Sequence, residues 1–179
     1  MEPWQIVLSV KAYEDYIIKQ LDVPEFDAEE RIECLRKCEE NLCGEYGKTW
    51  SCPPGFDVDP EELYRNSKYV LLVRRTFCLD VNDSEVVEAT SLEMHRIIRL
   101  MVRDLISSNV DCVGFADGGC KYCGVCAYPD PCRFPEMLVR SISALGLDLG
   151  GYLNKHGIDF SFSDECITLH GLIFIRATD

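Results

Sequence analysis

Positive charge is scarce in this chain. Lysine and arginine number 18 against 31 aspartates and glutamates, a net charge of −13. Such a surface repels a phosphate backbone and offers no basic patch to overcome the repulsion, which excludes nucleic-acid binding as a main role. Long apolar runs are missing too. The longest, residues 69–73 and 172–175, fall far short of the roughly 18 to 20 residues that span a bilayer, so no membrane segment is expected. Histidine is sparse: His95, His156 and His170 show no close spacing, and neither a histidine ligand pair nor a nucleophile-and-base arrangement can be read from them. Residues 114–124 are glycine-rich but match neither a Walker loop nor a dinucleotide fingerprint, leaving phosphate binding unsupported. The opening Met1-Glu2-Pro3-Trp4 lacks the basic n-region and apolar h-region of a secretory signal, so the expected setting is the reducing cytoplasm.

No Pro/Gly/Ser-rich or low-complexity stretch divides the 179 residues, and a single domain over 1–179 is expected. Hydrophobic residues make up 47% of the chain, enough for a core that needs no disulfides in place of packing.

The coarse pattern is that of an α+β protein. Residues 6–8 favour a strand and residues 12–21 have helical apolar spacing. Asp27 followed by Ala28-Glu29-Glu30 starts a helix reaching about Asn41. Gly44, Gly47 and Pro53-Pro54-Gly55 then impose a loop over 43–55. Residues 69–79 read as a buried strand, with Asn82-Asp83-Ser84 supplying a turn and an N-cap. In the helix that follows, Val87, Met94, Ile97, Ile98, Met101, Leu105 and Ile106 recur at three- and four-residue steps, an apolar face for a sheet. His95 is placed on the solvated side of that helix. A strand over 110–116 completes a strand–helix–strand unit, which implies a right-handed parallel crossover. Pro135 opens an expected helix to about Leu145, and residues 158–162 and 166–176 suggest a hairpin. The expected fold is a small mixed sheet with that β-α-β crossover, packed helices and long cysteine-bearing loops.

Cysteine is what the chain has in quantity: 11 residues, an odd number for a disulfide framework. Cys120-x2-Cys123-x2-Cys126 places three thiolates at minimal equal spacing on a glycine-flanked loop, with Cys132 following near Pro135. A chain so spaced can curl around one corner of a cubane, its N–H groups pointing at sulfide, and the run is similar to that of bacterial ferredoxins. Four free thiols packed as small hydrophobes do not suit a polar loop. Four thiolates also satisfy structural zinc, but zinc usually draws on two separated pairs, and the third cysteine at the same spacing favours iron–sulfur.

Cys34, Cys38, Cys43 and Cys52 form a second set ending in Trp50-Ser51-Cys52-Pro53-Pro54-Gly55. Cys34 and Cys38 share a helix face at i and i+4; Cys34 is equally readable as core. If it is not a ligand, the fourth position falls to Cys78, Cys112 or an exogenous group. That difference matters, because a closed cluster passes electrons or holds the fold whereas an open iron is a Lewis acid. Cys78, Cys112 and Cys166 otherwise read as small core residues on strands. Arg133, beside Cys132, is the arginine best placed to offset cluster charge, ahead of Arg74 and Arg75; Tyr46, Trp50 and Tyr122 are expected to shield the centres from water.

These residues resemble a family of archaeal and bacterial predicted metal-binding proteins, a domain of unknown function. The likeness rests on Cys38, Cys43, Tyr46-Gly47 and Cys52-Pro53-Pro54, then on Gly118-Gly119-Cys120 through Cys132-Arg133-Phe134-Pro135-Glu136. It continues through Ser141, Ala144, Gly146 and Asp148, about two thirds of the chain. Ser143 stands where a glutamate is expected, and Cys34 lies outside the pattern. The resemblance implies metal binding, as iron–sulfur in an anaerobe, and supplies no reaction.

Three functions are consistent with this reading: an electron-transfer or redox accessory unit with one or two [4Fe–4S] clusters, an enzyme with a three-cysteine cluster and an open iron, or a zinc-stapled interaction module. The acidic surface suits a basic redox partner.

Overall fold

The computed structural model describes residues 3–161 and 163–177. Five helices, α1 (Pro3–Leu8), α2 (Ala28–Glu39), α3 (Pro60–Arg65), α4 (Ser84–Ser107) and α5 (Leu149–Lys155), surround five strands, β1 (Ile17–Leu21), β2 (Ser67–Cys78), β3 (Cys112–Ala116), β4 (Arg140–Ser141) and β5 (Cys166–Arg176). The strands form one mixed sheet in the order β1-β2-β5-β3-β4, antiparallel except for the β3–β4 pair. The α+β class is as the sequence predicts.

Aspartates cap four of the helices: Asp27, Asp59 and Asp83 each accept bonds from two backbone N–H groups of the first turn and Asp148 from one, satisfying donors the helix cannot pair internally. Alternation along the central strands divides the core in two. Tyr69, Leu71, Val73, Ile173 and Ile175 face α4 with Met94, Ile97, Ile98 and Met101. Val70, Leu72, Leu172 and Phe174 face the opposite layer with Leu63, Tyr64, Tyr152 and Leu153 from α3 and α5. The helix α4 comes very close to the sheet at Gly114 and Gly171, where an added Cβ would collide with the Ile98 side chain.

Several expectations are corrected. Residues 6–8 belong to a helix and residues 17–21 to a strand, because the short N-terminal segment packs Val7 and Tyr13 against α4 whereas β1 completes the sheet edge beside β2. The expected helix after Pro135 is one 3-10 turn, Pro135–Met137; Leu138 is then extended, β4 pairs with β3, and a second 3-10 turn, Ser143–Leu145, follows. Pairing with the sheet here outweighs local helix preference. Residues 158–161 form no strand and Phe162 lies outside the described residues. Instead of closing a hairpin, β5 inserts between β2 and β3 and runs antiparallel to both. Those two strands, joined in sequence by α4, are therefore parallel but not adjacent. Among the described residues no helix is long and apolar enough to cross a membrane.

Candidate metal centre

Six of the eight candidate cysteines lie on two loops that interlock at one end of the sheet, and Cys34 and Cys38 lie on α2, which leads into the first loop. The first follows α2 and is closed by a bond from Gly47 N–H to the Pro53 carbonyl, 2.9 Å, with Gly44 and Gly47 at positive φ where the chain reverses. The second leaves β3 through Asp117 and Gly118 and returns at β4. Ser51 joins them. It is fully buried, its Oγ accepts the Cys120 N–H at 2.7 Å, and it lies 2.9 Å from Thr49 Oγ1 and 3.7 Å from Cys52 Sγ. Its carbonyl accepts from Ser141 N–H at 3.0 Å. Around this point Lys121 pairs with Glu45 at 3.2 Å, Trp50 Nε1–H donates to the Asp130 carbonyl at 2.8 Å, and the Trp50 and Tyr128 rings meet edge-on. A hydrogen-bonded path thus links the backbone of one cysteine set to a sulfur of the other.

All eight candidate ligands are free thiols: Cys34, Cys38, Cys120, Cys123, Cys126 and Cys132 are half-buried, Cys43 is exposed and Cys52 is buried. Burial pushes the Cys38 thiol up, and the charges of Cys52, Cys43 and Cys34 add to it, so the first set shares one electrostatic neighbourhood. Cys52 is also raised by burial, against hydrogen bonds from Thr49 and Ser51 that favour its thiolate. Cys34 is raised by burial and then by Glu30, with Lys37 acting against it and Asp148 and Glu33 adding to it. Among the described residues no three histidine, cysteine, aspartate or glutamate side chains converge closely enough to hold a metal ion. Thiolates repel one another, and convergence of such ligands is coupled to metal binding itself. The donor chemistry is nevertheless definite: eight sulfurs, with hydroxyl and amide donors beside them, suit a thiophilic metal and not magnesium or calcium.

The strand cysteines are corrected in part. Cys78 is exposed and Cys166 half-buried. The two face each other across β2 and β5 and are joined as a disulfide, so neither is a core residue nor a free reserve ligand. Cys112 is buried as expected, its thiol pushed up to about 12 chiefly by burial.

A polar stripe on α4 escaped the sequence reading. Glu88, Ser91, His95 and Arg99 recur at three- and four-residue steps and meet the second loop in turn. Glu88 pairs with Lys121 at 3.4 Å and Ser91 Oγ lies beside Gly118. His95 is fully buried, not solvated, and its Nε2 lies 2.9 Å from the Asp117 carbonyl. Burial holds this imidazole below its ordinary range, and since a carbonyl only accepts, Nε2 carries the proton. The Arg99 guanidinium lies 5.1 Å from the Tyr122 ring centre, close enough to Cys120 for their charges to act on each other, and its Nη1 is buried without a partner. The legible signal was polar periodicity in register with the apolar face.

Arg133 donates to the Val125 carbonyl within the second loop, whereas Arg75 pairs with Asp15 and stacks near Tyr16 and Phe77. Of the expected shields, Trp50 and Tyr46 are half-buried and Tyr122 is 40% exposed, so the second loop keeps a solvent-facing side. No curated protein and no solved structure matches the chain. A family model matches residues 19–175, which takes in both cysteine loops and the entire sheet apart from short ends, and the chain belongs to the family described as "Predicted metal-binding protein (DUF2284)".

Proposed function

We propose that this metal-binding protein is an iron–sulfur protein carrying one or two [4Fe–4S] clusters and serving as an electron-transfer or redox accessory unit. Cys120, Cys123, Cys126 and Cys132 hold the principal cluster; Cys38, Cys43 and Cys52 hold the other, with Cys34 as its protein-derived fourth ligand. The observation that carries the reading is the interlocking of two sets of free thiols through Ser51. When bound, a [4Fe–4S] cluster supplies one-electron exchange.

The surrounding residues have definable tasks. Ser51 fixes the backbone of Cys120 and offers Cys52 a hydroxyl, the kind of outer-shell bond that tunes a thiolate ligand. Arg99 sets positive charge beside Cys120, offsetting an anionic centre. Trp50 and Tyr128 cover the junction of the loops. The net charge of −13 favours docking to a basic redox protein by electrostatic steering.

The test is anaerobic purification followed by iron, acid-labile sulfide and zinc quantification on one sample. About eight irons and eight sulfides per chain are expected for two clusters and about four of each for one. Zinc with neither iron nor sulfide would overturn the proposal and leave the structural zinc module.

One observation favours a second reading, an enzyme with an open iron. Cys34 lies within α2, whereas Cys43 and Cys52 lie on the loop that follows it. Replacing Cys34 with alanine separates the two: iron retained in full supports a three-cysteine site, and loss of about half the iron supports a closed one.

A further inference from the structure

A second site lies on the other side of Asp117. A cavity of about 370 Å³, mostly apolar, is lined by Val87, Phe160, Ile167 and Leu169 together with Asp117 and His170. Its size falls at the lower end of the range for small-molecule sites.

Ser161, Ser163 and Thr168 also line it, their hydroxyls already engaged with Asp159 Oδ2, the Glu165 N–H and Thr76 Oγ1, and Asp117 and His170 form a defined pair. Asp117 Oδ2 accepts the backbone N–H of His170 at 2.8 Å and lies 3.2 Å from its Nδ1. A carboxylate can only accept, so Nδ1 carries the proton in that bond, which leaves Nε2 as the nitrogen with a lone pair in the uncharged imidazole. His170 is 3% exposed and its Nε2 is buried without a hydrogen-bond partner. The dyad is held from behind: the Asp117 carbonyl is bonded by His95, and the Phe160 ring lies 5.4 Å from the His170 ring.

The lining also limits charge. Among the described residues it contains the Asp117 carboxylate and no lysine or arginine. An anionic ligand would meet a fixed negative charge with no cation to balance it. The apolar walls would in turn disfavour a cationic one.

We infer that this cavity is a binding site for a small, neutral, largely apolar molecule bearing a hydroxyl group, a phenol or alcohol, whose O–H donates to Nε2 of His170. Asp117 fixes the tautomer that makes Nε2 an acceptor, and the ring of the ligand packs on Phe160 and Leu169. The site requires none of the eight candidate metal ligands.

Calorimetric titration of the anaerobically purified, full-length protein tests the inference, with metal content measured on the same sample so that a failure here is distinct from a failure of the iron–sulfur reading. The probes are p-cresol, toluene, p-toluate and benzylamine. p-Cresol is expected to bind about 10-fold more tightly than toluene, the worth of one hydrogen bond to a buried acceptor, with p-toluate and benzylamine weaker than p-cresol. H170F should abolish the preference for p-cresol over toluene, and V87W, which fills the cavity away from the dyad, should abolish binding of both. No binding of p-cresol, equal binding of p-cresol and toluene to the unaltered protein, or tighter binding of either charged probe would overturn it. The wild-type comparison decides the matter even if H170F fails to fold.

Discussion

Replacing Ser51 with alanine removes a side chain that touches both cysteine sets. Its hydroxyl is fully buried, accepts from Cys120 N–H at 2.7 Å, and lies 2.9 Å from Thr49 Oγ1 and 3.7 Å from Cys52 Sγ. Alanine fits the same space, so packing is nearly unchanged and the loss is polar. A buried donor left unsatisfied costs about 1–3 kcal/mol. Two are at stake, the Cys120 amide and the Thr49 hydroxyl. Cys120 is only half-buried, so water recovers part of its share, whereas Thr49 is 5% exposed and must reorient. The expected destabilisation is about 2–4 kcal/mol, or about 5–15 °C in melting temperature for a domain of this size. Circular dichroism melting under anaerobic conditions reads the first quantity, and iron retained through gel filtration reads whether both sites loosen together. Ser9→Ala, which removes an exposed hydroxyl bonded only to the Ile6 carbonyl, is the control and should melt within about 1 °C of the parent. A Ser51→Ala protein that melts like the parent and keeps its metal would refute the idea that the two loops are one structural unit.

Three further outcomes follow from the same geometry. Cys123→Ser should lose one cluster's worth of iron and sulfide and melt at lower temperature, because ligand binding is coupled to folding; unchanged metal content would remove Cys123 from the ligand set. Arg99→Gln should lower the reduction potential of the cluster beside it, since a fixed positive charge favours the reduced, more negative state, while Arg99→Lys should retain most of that effect; redox titration followed by electron paramagnetic resonance measures both, and identical potentials would count against the assignment. Cys112 makes stability fall at alkaline pH. Burial keeps its thiol neutral up to about 12, whereas in the unfolded chain it ionises near its ordinary value of about 8.5. The unfolded state therefore sheds the proton first, and the contribution present below that value is lost as pH rises toward 12. Urea titrations across that window should show a shallower decline for Cys112→Val, and parallel declines would show that another group is responsible.

Local sequence determined the parts of this protein whose physics is local. Asp27 and Asp83 mark helix starts because a short carboxylate side chain reaches the N–H groups two and three residues ahead, wherever the helix later packs. The apolar steps from Val87 to Leu105 define α4 because a period near 3.6 makes one face, and that face is the one buried. The cysteine loops were legible for the same reason: glycine and proline state that the chain bends, and the spacing states that cysteines recur along the bend.

Tertiary structure alone decided the rest. The place of β5 between β2 and β3 rests on pairings between residues up to about a hundred positions apart in sequence, which no local pattern encodes. Pro135 begins a helical turn, but Arg140 is drawn to Asp57 by two bonds of 2.6 and 2.8 Å and Ser141 to β3, so the segment extends instead. His95 reads as solvated, and Glu88, Ser91 and Arg99 draw no notice, until the fold lays the second cysteine loop along them. Likewise, two cysteine sets far apart in sequence become neighbours where Ser51 and Cys120, 69 residues apart, share a hydrogen bond. The sequence by itself determined that this chain carries two groups of cysteines; the fold decided that the loops bearing them meet, because Ser51, Cys120 and Ser141 come together only where long-range pairing sets β4 beside β3.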